Sequence, residues 1–192
     1  MYRTLILGLF ALSAAACAQP ATVGSMATGD LALNTPANSP LLEGVCVSGV
    51  TGGQATNPLW VSKVDDNAFA GALRASLLAN GLSAPENDCA FALTAELASM
   101  KQPLIGISMT VTANVNYAVQ RAGAAQPDFT TNVTLPFTAK FSDAAIGAIR
   151  LRVANEGAIR VNIESMLREL AASPLAAPVP APAGEDETVP SS

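Results

Sequence analysis

The chain has 192 residues, half of them apolar and 13% charged, with a net charge of −5 and no histidine. Without histidine there is no His-dependent triad, no His-ligated metal site and no use of the commonest general base. There is no basic run for nucleic acid or anionic lipid, and the length allows one domain once the ends are set aside.

Residues 1–16 carry Arg3 as their only charge, followed by an apolar run over 4–12 and then small residues. This is the outline of a bacterial secretory signal, too short for a permanent membrane span. It ends Leu12-Ser13-Ala14-Ala15-Ala16-Cys17. Small residues before a cysteine resemble a lipobox, although Ala14 stands where Leu is usual. The resemblance implies that Cys17 is acylated and becomes the first residue of a mature lipoprotein. The alternative is ordinary cleavage after Ala16 or Ala18, leaving a soluble periplasmic protein. Because Ala18 rather than Asp follows Cys17, resemblance to sorting in enteric bacteria implies the outer membrane.

Two cysteines remain, Cys46 and Cys89. In an oxidising compartment an even remainder predicts one disulfide, stabilising the fold by roughly 3–4 kcal/mol through loop closure. Two small buried thiols are the alternative.

Residues 17–40, beginning with the lipidated cysteine, are Ala, Thr, Ser, Asn and Pro without periodicity and read as a flexible tether. A first strand is expected over 41–50, then a Gly-rich loop. A helix opens at Asp65 or Asp66, carries Phe69, Leu73 and Leu77 on one stripe, and stops at Asn80-Gly81. Alternation from Cys89 to Ala98 predicts a second strand. Residues 107–119 and 129–141 repeat that period of two with a Thr/Asn face, predicting a long antiparallel hairpin. Pro136 places the last strand at an edge or a bulge.

A final helix is expected from Asp143 to Leu170. Arg152, Glu156, Arg160, Glu164 and Arg168 form an i,i+4 ladder along it, and Gly157 marks a kink or a close contact with the sheet. From 171 to 192 a Pro/Ala-rich acidic tail is expected to be disordered.

The predicted fold is α+β: a two-layer β-α-β-β-β-α domain over 41–170, a four-stranded, mostly antiparallel sheet with two helices on one face. The cysteine-ending leader, the tether and this element order resemble a group of small bacterial envelope lipoproteins. The group includes the lipoprotein partner of the lipopolysaccharide-assembly barrel and the auxiliary lipoproteins of lipid-handling ABC importers. The resemblance implies membrane attachment through the lipid on Cys17 and a non-enzymatic role, binding a protein partner in envelope assembly or transport.

No catalytic, cofactor-binding or metal-ligating residue is assigned. Asp65-Asp66 suits a helix cap, and adjacent Ser62 and Lys63 do not converge as a nucleophile and base. Gly49-Val50-Thr51-Gly52-Gly53 lacks either phosphate-loop pattern. Asn57, Pro58, Leu59 and Trp60 form a candidate partner-binding loop around the single tryptophan, which alternatively lids the core. The Thr/Asn face is a second candidate surface, alternatively a plain solvated one. A lipid or small-molecule carrier with a pocket between helices and sheet, lined by Met100, Met109 and Met166, is the alternative function.

Overall fold

The computed structural model describes residues 18–57, 62–85, 88–103 and 105–178. Strands β1 (Val45–Thr51), β2 (Phe91–Lys101), β3 (Met109–Arg121) and β4 (Phe129–Ala139) form one sheet in the order β1-β2-β3-β4. β1 runs parallel to β2, and the remaining pairs are antiparallel. Helix α1 is Val23–Met26, α2 is Asp66–Ala79 and α3 is Gly147–Ala171. The expected two-layer α+β domain is present.

Period-two patterning decides which side of the sheet is dry. On β3, Met109, Val111, Ala113, Val115, Tyr117 and Val119 are all buried, and Leu93, Ala95 and Leu97 of β2 share their face. Phe69, Leu73 and Leu77 of α2 and Ile159, Ile163 and Met166 of α3 join them in a single core. Both long helices therefore cover one face of the sheet and leave the other open.

The ends of α2 follow their sequence signals. The Asp65 carboxylate accepts from the Ala68 amide at 2.9 Å. At the other end Gly81 takes φ +69°, Leu82 N–H donates to the Leu77 carbonyl, and Gly81 N–H donates to Leu78. This is a Schellman close, with Leu82 and Leu77 both buried.

Helix α3 starts later than expected. Asp143 does not cap it: its carboxylate accepts from the Lys140 amide at 2.8 Å and closes a turn directly after β4. Pro136 lies on the edge strand, opposite Thr112 in an unbroken ladder, so the edge rather than a bulge accommodates it. The hairpin strands are also shorter than expected. Ile107 and Phe141 fall outside them and are 79% and 57% exposed.

The largest correction concerns residues 18–40, expected as a loose tether. Ala21 and Met26 are buried, and α1 packs against both α2 and α3. Thr22 donates its amide (2.9 Å) and hydroxyl (3.1 Å) to the Glu156 carboxylate, and Arg160 donates to the Ser25 carbonyl at 2.8 Å. Farther on, Thr28 N–H donates to Ser76 Oγ and Leu31 N–H to Asn80 Oδ1, both at 2.9 Å. The stretch is a strap, and its small polar residues suit it to satisfying helix side chains. The charge ladder is correspondingly incomplete. Arg168 pairs with Glu164 at 2.9 Å and Arg152 lies 3.9 Å from Glu156, which the strap shares, whereas Arg160 turns to the Ser25 carbonyl. The expected tail also starts inside the fold, because Leu175 and Ala176 of a 3₁₀ turn at Pro174–Ala176 are buried. Residues 179–192 lie outside the described residues.

Candidate functional site

The open face of the sheet carries the most developed surface. Bulges at Ser48 in β1 and Ala98 in β2 shift the register and bend both strands. Low side chains at Gly49 and Ala118 leave a solvent-open trough of about 610 Å³, flanked by Thr51, Thr94, Glu96, Asn116, Thr130 and Asn132.

A polar chain crosses three strands along it. Asn132 Nδ2 of β4 donates to Asn116 Oδ1 (2.6 Å) and Asn114 Oδ1 (2.7 Å) of β3. Asn116 Nδ2 in turn donates to Glu96 Oε2 of β2 at 3.0 Å. Thr134 donates to Asn132 Oδ1 at 3.3 Å, and Thr110 and Thr138 bond across the hairpin at 2.8 Å. Cross-strand pairing of this kind fixes rotamers and presents an ordered polar surface. Its one carboxylate, Glu96, is bonded to an amide with no second acid in the chain of contacts. The arrangement suits recognition by hydrogen bonding.

The other sequence candidates are dispersed. Cys46 and Cys89 are bridged, with Cα atoms 5.6 Å apart, tying β1 to the segment before β2. Cys17 lies outside the described residues, as do Pro58, Leu59 and Trp60. Asn57 is exposed, and the loop it opens is closed at its base where Lys63 N–H donates to Thr56 Oγ1 (2.8 Å) and Thr56 Oγ1 donates to Lys63 O (3.1 Å). Asp66 accepts from the Gly53 amide at 2.7 Å, so the Gly-rich loop folds against a helix start rather than around a ligand. The Ser62 hydroxyl donates to the Gln19 carbonyl at 2.8 Å, which holds the strap. Among the described residues no group of three or more His, Cys, Asp or Glu side chains could hold a metal ion.

The space between helices and sheet is filled rather than hollow. Phe69, Leu73, Tyr117, Ile159, Ile163 and Met166 are fully buried there, and Met109 is core as well. Two polar clusters inside it escaped sequence reading. Asn162 accepts from Tyr117 Oη at 2.8 Å and donates to the carbonyls of Ala113 (3.2 Å) and Val133 (2.9 Å). Burial pushes the Tyr117 hydroxyl well above its usual pKa of 10.0. Gln102 donates to Asn155 Oδ1 (2.7 Å), and both side chains donate to the Ser62 carbonyl. Asn155 and Asn162 stand seven apart on the Ile159/Ile163/Met166 stripe, a spacing that could have flagged them as inward-facing.

No family model matches the sequence, and no curated protein matches it. Solved structures do. A Xanthomonas campestris protein of the DUF330 family superposes with a TM-score of 0.56 over 80% of this chain and 94% of its own, at 8% identity. A minor lipoprotein from Acinetobacter baumannii (TM-score 0.43, 10% identity) covers 68% of this chain and 94% of its own. A lipoprotein candidate from Caulobacter crescentus (0.42, 13%) covers 54% and 78%. At these identities the first likeness is one of fold, and the chain shares the two-layer architecture of the Xanthomonas protein.

Proposed function

We propose that the protein is a bacterial envelope lipoprotein, held by acyl chains on Cys17 at the periplasmic face of the outer membrane, that binds a protein partner in envelope assembly or transport without catalysis. The observation that carries the reading is the open sheet face. It is an ordered trough of Thr and Asn side chains on a domain whose other sheet face is sealed by both long helices. Its donors and acceptors bond mainly to one another, which favours recognition of a complementary polar surface over proton transfer. The leader ending at Cys17 supports the anchor. The finer likeness to lipopolysaccharide-assembly and ABC-importer lipoproteins is carried by that leader and by element order.

Two measurements test the proposal. Mass analysis of the N-terminal peptide of the membrane-extracted protein should find Cys17 diacylglyceryl-modified and N-acylated; a free N-terminus at Gln19 or Cys17 ends the anchor reading. A photo-crosslinking residue placed at Asn116 in living cells should give one discrete protein adduct. The same residue at Leu78, 72% exposed on α2, should give none. Equal labelling at both sites ends the partner reading.

A further inference from the structure

Four large apolar side chains stand in solvent at one end of the sheet: Ile105 (88% exposed) and Ile107 between β2 and β3, and Phe141 and Ile146 (45%) between β4 and α3. One side chain draws the two loops together. The Arg150 guanidinium is buried, donates to the carbonyls of Ala144 (2.6 Å), Ala145 (3.1 Å) and Gly106 (3.1 Å), and stacks over the Phe141 ring at 5.4 Å. It thus holds the residues flanking Gly106 beside those preceding Ile146. No carboxylate pairs with Arg150 among the described residues, so its hydrogen bonds serve loop backbone alone.

The chain's N-terminal side arrives at this same end. Arg152 donates to the Gln19 side chain, and Gln19 borders a small cleft with Ala148 and Ile149 in the first turn of α3. Ile146 is two residues before Ala148, about 3 Å along the helix axis. Cys17 precedes Gln19 by two residues, a reach of at most about 7 Å. Because residues 19–28 are strapped down, no slack separates an anchor on Cys17 from the domain. Exposed apolar groups at the point of attachment need a cover, and the bilayer is the surface that the anchor brings there.

We infer that Ile105, Ile107, Phe141 and Ile146 form a membrane-dipping tip that seats the domain on its bilayer, with the start of α3 facing the headgroups. The inference rests on acylation of Cys17. The orientation it fixes leaves the far end of the domain, with Gly81 and the start of β1, pointing away from the membrane.

The test uses the acylated protein in vesicles of phosphatidylethanolamine and phosphatidylglycerol brominated on the acyl chains. Tryptophan reporters are placed by I107W and, at the far end, by L78W, in a Trp60→Phe background. The I107W reporter should shift to the blue and lose intensity to the bromines, and the L78W reporter should do neither. Backbone hydrogen exchange on the unsubstituted protein gives a second measurement. Amides of 105–108 and 141–146 should slow in vesicles relative to the same chain without acyl groups, while those of 78–81 stay unchanged. An acylated protein whose I107W reporter is unquenched, with no slowing at the loops, overturns the tip and leaves that patch for a protein partner; the anchor then stands. A protein whose Cys17 carries no acyl chain removes the anchor and the tip together.

Discussion

The ring of Phe137 on β4 lies against the backbone of Gly157 on α3, so close that a Cβ on Gly157 would run into it. The glycine expected as a kink or a close contact is the contact. Arg160 stacks on the same ring at 5.6 Å.

Gly157→Ala should therefore destabilise the fold despite better helix propensity. Overpacking costs about 1–3 kcal/mol and the propensity gain returns about 1 kcal/mol. Denaturant unfolding should show a net loss, and Phe137→Leu in the same chain should recover part of it. A more stable single variant would falsify the contact.

Tyr117 and Asn162 give the fold an alkaline limit. The buried hydroxyl keeps its proton to higher pH than an unfolded tyrosine, whose pKa is 10.0. Its contribution is thus fully present below about pH 10 and is lost as pH rises through the higher folded value. Tyr117→Phe should lower stability near neutrality by about 1–2 kcal/mol, because Asn162 Oδ1 loses its donor, and should flatten the decline above pH 10. Urea melts across that range on both proteins decide it; parallel curves would remove Tyr117 from the account.

Glu156 is the strap's main holdfast. Glu156→Ala should speed amide exchange at Thr22 and Thr28 and lower global stability by about 1–3 kcal/mol, whereas Glu156→Gln keeps an acceptor and should lose less. Exchange rates in the strap that match the parent would mean that burial of Met26 alone keeps it down.

Breaking the Cys46–Cys89 bridge frees a 43-residue separation in the unfolded chain. Cys46→Ala combined with Cys89→Ala should cost roughly 3–4 kcal/mol with the same native fold. A midpoint unmoved by reductant in the parent protein would contradict this.

The strands, α2 and the sidedness of the sheet were legible because each rests on local periodicity. Thr110 to Asn116 alternate with Met109 to Val115, and burial only has to choose a side. Pro136 and Gly157 were legible as constraints, each with two outcomes that only tertiary placement separates. The strap was not legible. Its apolar groups, Ala21 and Met26, are sparse, and its hydrogen bonds go to Glu156 and Ser76, far away in sequence. The start of α3 lies beyond its sequence signal because Asp143 has equal aptitude for a cap and a turn, and the Lys140 amide claims it. Of the candidate surface, the Thr/Asn composition was readable. Its depth was not, since it comes from two bulges and the small residues Gly49 and Ala118. The exposed tip was hidden by the period itself: Ile107 and Phe141 continue the alternation of strands that stop two residues short of them.

The strap ties the completion of the fold's beginning to its end. Residues 19–28 emerge early, yet their seat consists of Ser62, Ser76, Glu156 and Arg160, and Glu156 follows Thr22 by 134 positions. Ser62 and Ser76 follow soon after, but the partners of Thr22 and Ser25 are absent until the closing helix is in place. The strap is thus completed only at the end, and a chain interrupted before α3 would hold residues 19–28 by Ser62 and Ser76 without Glu156 or Arg160.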